Sequence, residues 1–222
     1  GKALQYRYRI VTLEGEILKT ITEIKKVGKG ERYKLFLDDE FFGIYEAEIL
    51  ARYSLKTGES YDEGFFETLM LENGDYACFN RGLLSLEKSS KTKKMLIQYL
   101  KEKGYPKSSI DKAVDKLVDY GYVNDESFCE NYILSYKSAK SKKKLKYDLL
   151  TKGVSEEVIE QKLNELLDDE CEKEKCLKFA EKFMKNRVFD LKNKQKFYNH
   201  LASKGFDYSL ISNIWEEISN GK

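Results

Sequence analysis

The sequence predicts a mainly α-helical protein. Three tandem three-helix repeats, each similar to a helix-turn-helix, form an elongated curved array that follows a small antiparallel β plus helix N-terminal region. Three observations support this fold class. The dipeptide Lys-Gly recurs at intervals of 49 and 52 residues within one apolar pattern. The first forty residues instead alternate in the manner of β-strands. The charge also divides, because residues 1–88 carry a net charge of −3 and residues 89–222 carry +5.

The N-terminal region, residues 1–88, begins with strand-like segments rich in β-branched and aromatic side chains. These segments are Tyr6–Thr12, Ile17–Val27 and Arg32–Leu37. We expect them to form a small antiparallel sheet. The turns fall at Glu14-Gly15-Glu16, Gly28-Lys29-Gly30 and Asp38-Asp39-Glu40.

The pair Gly28 and Gly30 does not indicate a phosphate-binding loop. A third glycine is missing, and strand patterns lie on both sides of the pair where a helix should follow it. A hairpin turn is the better interpretation. Beyond residue 45 the pattern becomes helical, over Glu46–Tyr53, Asp62–Glu72 and Tyr76–Glu87.

The repeat becomes visible when the Lys-Gly dipeptides at residues 103–104, 152–153 and 204–205 are superposed on their glycines. Six positions, at −8, −4, +1, +6, +10 and +13 from the glycine, are apolar in every copy. The first two lie one helical turn apart, the glycine suits a left-handed helix end, and the last three form the stripe of a second helix. The eighteen residues are Leu96, Leu100, Tyr105, Ile110, Val114 and Leu117; Leu145, Leu149, Val154, Ile159, Leu163 and Leu166; and Phe197, Leu201, Phe206, Ile211, Trp215 and Ile218.

A further helical stretch follows each of the first two copies, at Asp125–Ala139 and Glu170–Asn186. We therefore predict repeats at 89–139, 140–188 and 189–222, the last of which is truncated. We expect Trp215 to be buried. Helically spaced aromatic side chains are expected in the core or between helices, and they are Tyr99, Tyr105, Tyr120, Tyr122, Phe128, Tyr132 and Tyr136.

The residue types that carry most catalysis are scarce or unpaired. The four cysteines form no C-x-x-C pair, so they indicate reduced thiols and neither a disulfide scaffold nor a zinc site. His200 lies in a helical pattern without a partner motif, and no phosphate-binding G-x-x-x-x-G-K-[ST] loop exists. The sequence therefore predicts a protein that is not an enzyme and that has no cofactor and no metal.

Location and assembly follow from the same composition. No segment approaches about 20 apolar residues, so we expect no membrane partner. The first residues lack the apolar core of a signal peptide, so we expect a cytoplasmic protein. We also expect a monomer, because tandem repeats already supply the multivalency that oligomers often provide.

Each repeat begins its first helix with clustered lysines, and residues 137–146 hold six lysines and no acid. If the units stack regularly, three basic patches line one side and suit a partner with phosphates or acidic loops. The alternative is a solvated surface, although lysines at a helix start oppose the helix dipole. No arginine or aromatic stacking platform is evident there, so base-specific recognition is not indicated. The candidate contacts are Lys137, Lys140, Lys142, Lys143, Lys144 and Lys146; Lys91, Lys93 and Lys94; and Lys192, Lys194 and Lys196.

Taken together, these patterns resemble the RecX family of regulatory proteins over roughly residues 85–219. The resemblance rests on the repeated L-x-x-K-G-Φ-x-x-x-x-I, on Gly121–Phe128 followed by Asn131-Tyr132-Ile133, and on Leu201–Tyr208. The strands around Arg32–Glu40 are similar to the β-rich extension of members from low-GC Gram-positive bacteria. Two positions depart from the family, Cys129 in place of alanine and Ser141–Lys144 in place of a Gly- and Arg-rich entry. The second departure loses the bidentate geometry of arginine.

The resemblance implies a non-enzymatic regulator that docks in the groove of the RecA filament on single-stranded DNA. It implies that the protein modulates, and most often inhibits, ATP hydrolysis and strand exchange. The RecA filament and single-stranded DNA are therefore the expected partners.

The alternative function is a helix-turn-helix-like protein that acts on DNA directly, with the second helix of each unit in the major groove. A recognition helix normally presents Arg, Gln or Asn to base edges. Here the second helices carry many carboxylates, so we disfavour this alternative. The carboxylates are Asp111, Asp115 and Asp119; Glu156, Glu157, Glu160 and Glu165; and Glu216 and Glu217.

Overall fold

The structure, a computed structural model, describes residues 18–220, in which a small antiparallel sheet is followed mainly by helices. This confirms the predicted mainly helical fold with a β-rich N-terminal region. The predicted strand Tyr6–Thr12 and the predicted turn Glu14-Gly15-Glu16 lie outside the described residues.

The sheet has the strand order β3-β2-β1-β4, and its pairs are antiparallel. Two of its strands were predicted, and the turn at Gly28–Gly30 joins them as expected, with the Val27 amide donating to the Arg32 carbonyl at 2.8 Å. Asp38 and Asp39 have φ of 48° and 66° and make the next tight turn. Strands β3 and β4 were not predicted. The bounds are β1 Lys19–Lys26, β2 Arg32–Leu37, β3 Glu40–Glu46 and β4 Ser60–Tyr61.

The helix predicted at Glu46–Tyr53 is confirmed as α1, Ala47–Arg52, but the next two predicted helices are one. Helix α2, Glu63–Lys88, runs without a break through Asn73-Gly74-Asp75, the segment that had separated the two predictions. The polar side chains of this segment have partners outside the helix. Asn73 accepts from the Glu46 amide at 2.9 Å, and Asp75 accepts from Ser109 at 2.5 Å. Tertiary contacts therefore stabilise a helix that local sequence does not favour.

The remaining helices follow in three sets, and their ends match the repeat pattern. Gly104, Gly153 and Gly205 have φ of 84°, 91° and 90°, so each Lys-Gly dipeptide ends a helix in the left-handed conformation, as predicted. Side-chain oxygens of Asn124, Ser141, Ser155, Asp168 and Asp190 cap helix starts. The bounds are α3 Lys93–Glu102, α4 Lys107–Asp119, α5 Asp125–Tyr136, α6 Lys142–Lys152, α7 Glu156–Leu166, α8 Asp169–Met184, α9 Leu191–Ser203 and α10 Tyr208–Asn220.

The described part of the chain forms two compact units. One comprises the residues up to Lys88 together with Ile97–Asp119, and the other comprises Ser89–Leu96 together with the residues from Tyr120 onward. In the first unit the sheet packs on α1 and α2, and α2 packs along α4. The sheet-and-helix core comprises Ile21, Leu35, Leu37, Tyr45, Ile49, Leu50, Leu55, Phe66 and Leu69.

The predicted repeat core is confirmed at most positions. Fifteen of the eighteen apolar positions are buried, Trp215 among them, and the other three, Tyr105, Leu166 and Ile218, are half-buried. Helices α5, α6 and α7 share one core, and α8, α9 and α10 share another. The cores thus group each third helix with the pair that follows it, whereas the glycine spacing had placed it with the pair before.

Three of the aromatic side chains expected inside are on the surface. Tyr120, Tyr122 and Tyr136 are exposed, while Tyr99, Tyr105, Phe128 and Tyr132 are half-buried. Helical spacing alone could not separate the exposed rings from the half-buried ones, because a large aromatic ring can lie at the side of a helix as well as on its buried face.

Candidate functional site

The start of α3, where the first lysine cluster lies, docks on the end of α6. The buried Thr92 hydroxyl donates to the Lys152 carbonyl at 2.5 Å and accepts from the Met95 amide at 3.2 Å. The Lys93 amide donates to the Asp125 carboxylate at 2.8 Å. A buried hydroxyl and a carboxylate therefore satisfy amides that a helix start leaves without partners.

The start of α6, inside the second cluster, repeats this junction. The buried Ser141 hydroxyl donates to the Lys204 carbonyl at 3.0 Å and accepts from the Lys144 amide at 3.2 Å. The Lys142 amide donates to the Glu172 carboxylate at 2.9 Å. The end of α9 thus meets the start of α6 as the end of α6 meets the start of α3.

This end-to-end arrangement explains part of the lysine pattern. A lysine at the start of its own helix opposes that helix dipole, but here it also lies at the carbonyl end of another helix, where a cation is favourable. Lys94 donates to the Thr151 carbonyl at 3.2 Å. Lys143 lies 3.5 Å from Asp207, which directly follows the Gly205-Phe206 turn after α9.

Other lysines of the 137–146 segment bind carboxylates that the sequence placed elsewhere. Lys140 and Lys144 both contact Asp148, at 2.8 Å and 3.1 Å. Burial raises the pKa of Asp148, but hydrogen bonds from the two ammonium groups outweigh it, so the pKa lies below its ordinary value. The hydrogen bond to Asp148 raises the pKa of Lys140. Asp148 therefore neutralises part of the positive charge that the sequence shows in this segment.

Lys146 and the first cluster are likewise engaged. Lys146 forms ion pairs with Glu156, at 2.7 Å, and with Glu160, and the hydrogen bond to Glu156 raises the pKa of Lys146. Lys91 is half-buried and donates to the Ser89 hydroxyl at 2.7 Å, and burial lowers the pKa of Lys91. Both side chains therefore already have partners within the same chain.

Four further candidates are exposed, namely Lys137, Lys192, Lys194 and Lys196. Within residues 18–220, Lys137, Lys192 and Lys196 form no hydrogen bond or ion pair through their side chains. Lys194 lies 5.9 Å from the ring centres of both Tyr198 and Trp215. The structure therefore leaves Lys137, Lys192 and Lys196 free to contact a partner.

Two features of this region were missed from the sequence. Lys175 is buried and bridges the Lys140 carbonyl at 2.8 Å and the Glu172 carboxylate at 2.9 Å. Exposed tyrosines also flank the lysine-rich segment, Tyr136 on one side and Tyr147 on the other. The signal for the second feature was present, since Tyr147 has a polar residue at the equivalent position of both other repeats.

Other kinds of site find no support in the described residues. No group of three or more His, Cys, Asp or Glu side chains between residues 18 and 220 could hold a metal ion. No helix in that range is both long and apolar enough to span a bilayer. The cysteines are free thiols, of which only Cys171 is exposed.

These features define a class of protein, in which buried caps between α3 and α6 and between α6 and α9 join helix-turn-helix-like three-helix domains. Three family models match the chain: the first three-helix domain of RecX over residues 78–117, the second over 124–163 and the third over 170–215. Each match begins one helix before the helix that ends in a Lys-Gly dipeptide, and the cores of α5–α7 and α8–α10 begin in the same way.

The chain belongs to the RecX family. It is 31% identical to the regulatory protein RecX of Clostridium botulinum (strain Alaska E43) over 205 residues, which is 90% of this chain and 96% of that protein. It is 34% identical to the regulatory protein RecX of Clostridium beijerinckii over 203 residues, covering 90% of this chain and 94% of that one.

Solved structures agree on the fold. A crystal structure of regulatory protein RecX superposes with a TM-score of 0.68 at 22% identity, covering 88% of this chain and 98% of the other. A crystal structure of RecX from Lactobacillus salivarius gives a TM-score of 0.59 at 25% identity, covering 67% of this chain and 98% of that one.

Proposed function

We propose that this chain is a non-enzymatic regulator that binds the RecA filament on single-stranded DNA and inhibits its ATPase and strand-exchange activities. The observation that carries the proposal is the match of three consecutive RecX domains in order, beside relatives called regulatory protein RecX that align over 90% of the chain. In this proposal the protein acts in the cytoplasm as a monomer.

The contact surface follows from which lysines are free. Three exposed lysines form no ion pair within residues 18–220, namely Lys137, Lys192 and Lys196. By contrast, carboxylates of the same chain pair with Lys140 and Lys146. Phosphates attract such free ammonium groups, and each neutralised phosphate releases counterions and makes binding sensitive to salt. We therefore expect these three lysines to be the main contacts with the filament.

Direct action on DNA through a recognition helix is the weaker alternative. Helix α7 occupies the place of a recognition helix in the second domain, and its first turn carries Glu156 and Glu157. Glu156 and Glu160 bind Lys146 across the domain, so these carboxylates are part of the folded surface. A helix with this charge repels phosphates, so groove insertion is disfavoured.

The test is the RecA ATPase on single-stranded DNA, with the protein titrated well below one copy per RecA protomer. We expect strong loss of hydrolysis with the wild type and a weaker effect with the triple variant Lys137→Glu, Lys192→Glu and Lys196→Glu. A matched control, Lys178→Glu with Lys182→Glu, reverses two exposed charges of α8 outside the clusters and should act like the wild type.

Two results would count against this proposal. If the wild type leaves RecA hydrolysis unchanged at every ratio, the filament is not its target. If the triple variant and the wild type inhibit equally, the regulator stands but the three free lysines do not form its contact.

A further inference from the structure

The exposed face of α6 differs from the equivalent faces of α3 and α9. Aligned on the Lys-Gly dipeptides, Tyr147 corresponds to Gln98 and Asn199, and Leu150 corresponds to Lys101 and Ala202. Tyr147 is 64% exposed and Leu150 is 39% exposed. Only the middle repeat thus places a large aromatic ring where the other repeats place polar side chains. The middle repeat therefore adds exposed aromatic surface beside the lysine-rich segment.

A lysine lies beside this ring, and Asp148 links that lysine to a second pair of lysine and tyrosine. The Lys144 ammonium lies 5.0 Å from the centre of the Tyr147 ring, and the Lys140 ammonium lies 4.3 Å from the centre of the Tyr136 ring. Asp148 holds both ammonium groups, at 3.1 Å and 2.8 Å. We call these five residues the α6 tyrosine patch.

The geometry of the patch favours single-stranded nucleic acid over an acidic protein surface. An acidic protein surface would bind the lysines and leave the rings without a role. A single strand can use both, because its bases can stack on the exposed rings and its phosphates can approach the ammonium groups. Lys143 extends the positive charge along the same face of α6, because it precedes Tyr147 by one helical turn. Duplex DNA hides its base faces and cannot use the rings in this way.

We infer that the α6 tyrosine patch binds single-stranded nucleic acid, with a base stacked on Tyr147 and an adjacent phosphate near Lys143, whose contact with Asp207 at 3.5 Å is exposed and can be exchanged for the phosphate. This inference rests on the proposed function and adds to it a direct contact with the strand that the filament coats. Stacking is tolerant of sequence, so the contact requires no base-specific hydrogen bonds.

The experiment compares two fluorescently labelled oligonucleotides of equal length and charge, oligo(dT) and a strand in which the central nucleotides are abasic. Binding is measured by anisotropy without RecA. We expect the wild type to bind oligo(dT) at least about five-fold more tightly than the abasic strand, the lower end of what one stacked base contributes. Tyr147→Ala should remove this preference, and Tyr147→Phe, which keeps the ring, should retain it.

The matched control is Tyr208→Ala, since Tyr208 on α10 is 66% exposed and lies outside the patch. It should leave the preference for oligo(dT) intact. Equal binding of both strands by the wild type would overturn the inference and leave the RecA proposal untouched, because that rests on the ATPase assay. If Tyr147→Ala weakens RecA inhibition without changing oligonucleotide affinity, the patch contacts protein, and the inference also fails.

Discussion

The helix junctions make a sharp prediction about three glycines that the sequence treats as equivalent. Gly104, Gly153 and Gly205 occupy the same repeat position and have φ between 84° and 91°. Their surroundings differ. A Cβ at Gly104 meets nothing within 4 Å, whereas at Gly153 it lies 2.5 Å from the Lys94 side chain and at Gly205 it lies 2.5 Å from the Ser141 hydroxyl.

The expected costs follow from these contacts. Alanine in the left-handed conformation costs roughly 1–2 kcal/mol, and this cost applies to all three positions. Overpacking of a closed site adds about 1–3 kcal/mol, and this cost applies only at Gly153 and Gly205. We therefore expect Gly104→Ala to lower the free energy of unfolding by about 1 kcal/mol, and the other two substitutions to lower it by about 3 kcal/mol each.

Ser141 allows the close approach to be tested by a double-mutant cycle. Ser141→Ala removes the oxygen that a Cβ at residue 205 would strike, together with the hydrogen bond to the Lys204 carbonyl. Gly205→Ala should therefore cost about 1 kcal/mol less in the Ser141→Ala background than in the wild type. Gly153→Ala, which meets Lys94, should cost the same in both backgrounds.

The measurement is urea unfolding followed by far-UV circular dichroism, with the change in midpoint converted at a common slope. Hydrogen exchange of the α6 and α9 amides locates the loss. Equal costs at all three glycines would refute the reasoning, because backbone strain alone would then explain them. If the double-mutant cycle shows no coupling between residues 141 and 205, the proposed close contact between α6 and α9 is also refuted.

Two further predictions concern buried groups. Lys175→Ala leaves the Glu172 carboxylate without its ammonium partner and should cost about 3 kcal/mol in urea unfolding, whereas Lys175→Met with Glu172→Gln should recover at least half of that. Burial raises the pKa of the Cys78 and Cys129 thiols to about 11 and of Cys176 to about 12, so a thiol reagent at pH 8 should modify only Cys171 in the folded protein and all four cysteines in urea; rapid modification of a second thiol in the folded state would contradict this.

The sequence predicted those parts of the fold that depend on local periodicity. The apolar positions around each Lys-Gly dipeptide follow from the period of a helix and from the left-handed conformation that glycine tolerates, and both were confirmed. The break expected near Gly74 is absent, because Asn73 and Asp75 find partners on β3 and α4. No local rule reports such contacts.

The candidate site was harder to predict, because the contacts of its helix starts join residues far apart in the sequence and its lysines are partly neutralised by carboxylates outside the clusters. Thr92 and Lys152 are 60 residues apart, and Ser141 and Lys204 are 63 apart, yet each pair shares a hydrogen bond. The 137–146 segment holds no acid in sequence, but Asp148 lies one turn further along α6 and reaches both Lys140 and Lys144. A charge count along the chain therefore overstates the basic surface.

The third lysine cluster is the one that the junctions do not explain. Lys94 and Lys143 contact the carbonyl end or the following turn of a helix from the next three-helix domain. Lys192 and Lys196 lie in the first two turns of α9, where Gln195 is the position equivalent to Lys94 and Lys143, and the described part of the chain holds no fourth three-helix domain to supply a further helix end. The Asp190 carboxylate that caps α9 offsets part of their unfavourable position relative to the α9 dipole, and no helix end adds to it within residues 18–220. Under the proposed function, phosphates of the filament supply further compensation, so we expect charge reversal at these two lysines to stabilise the isolated protein slightly while it weakens binding.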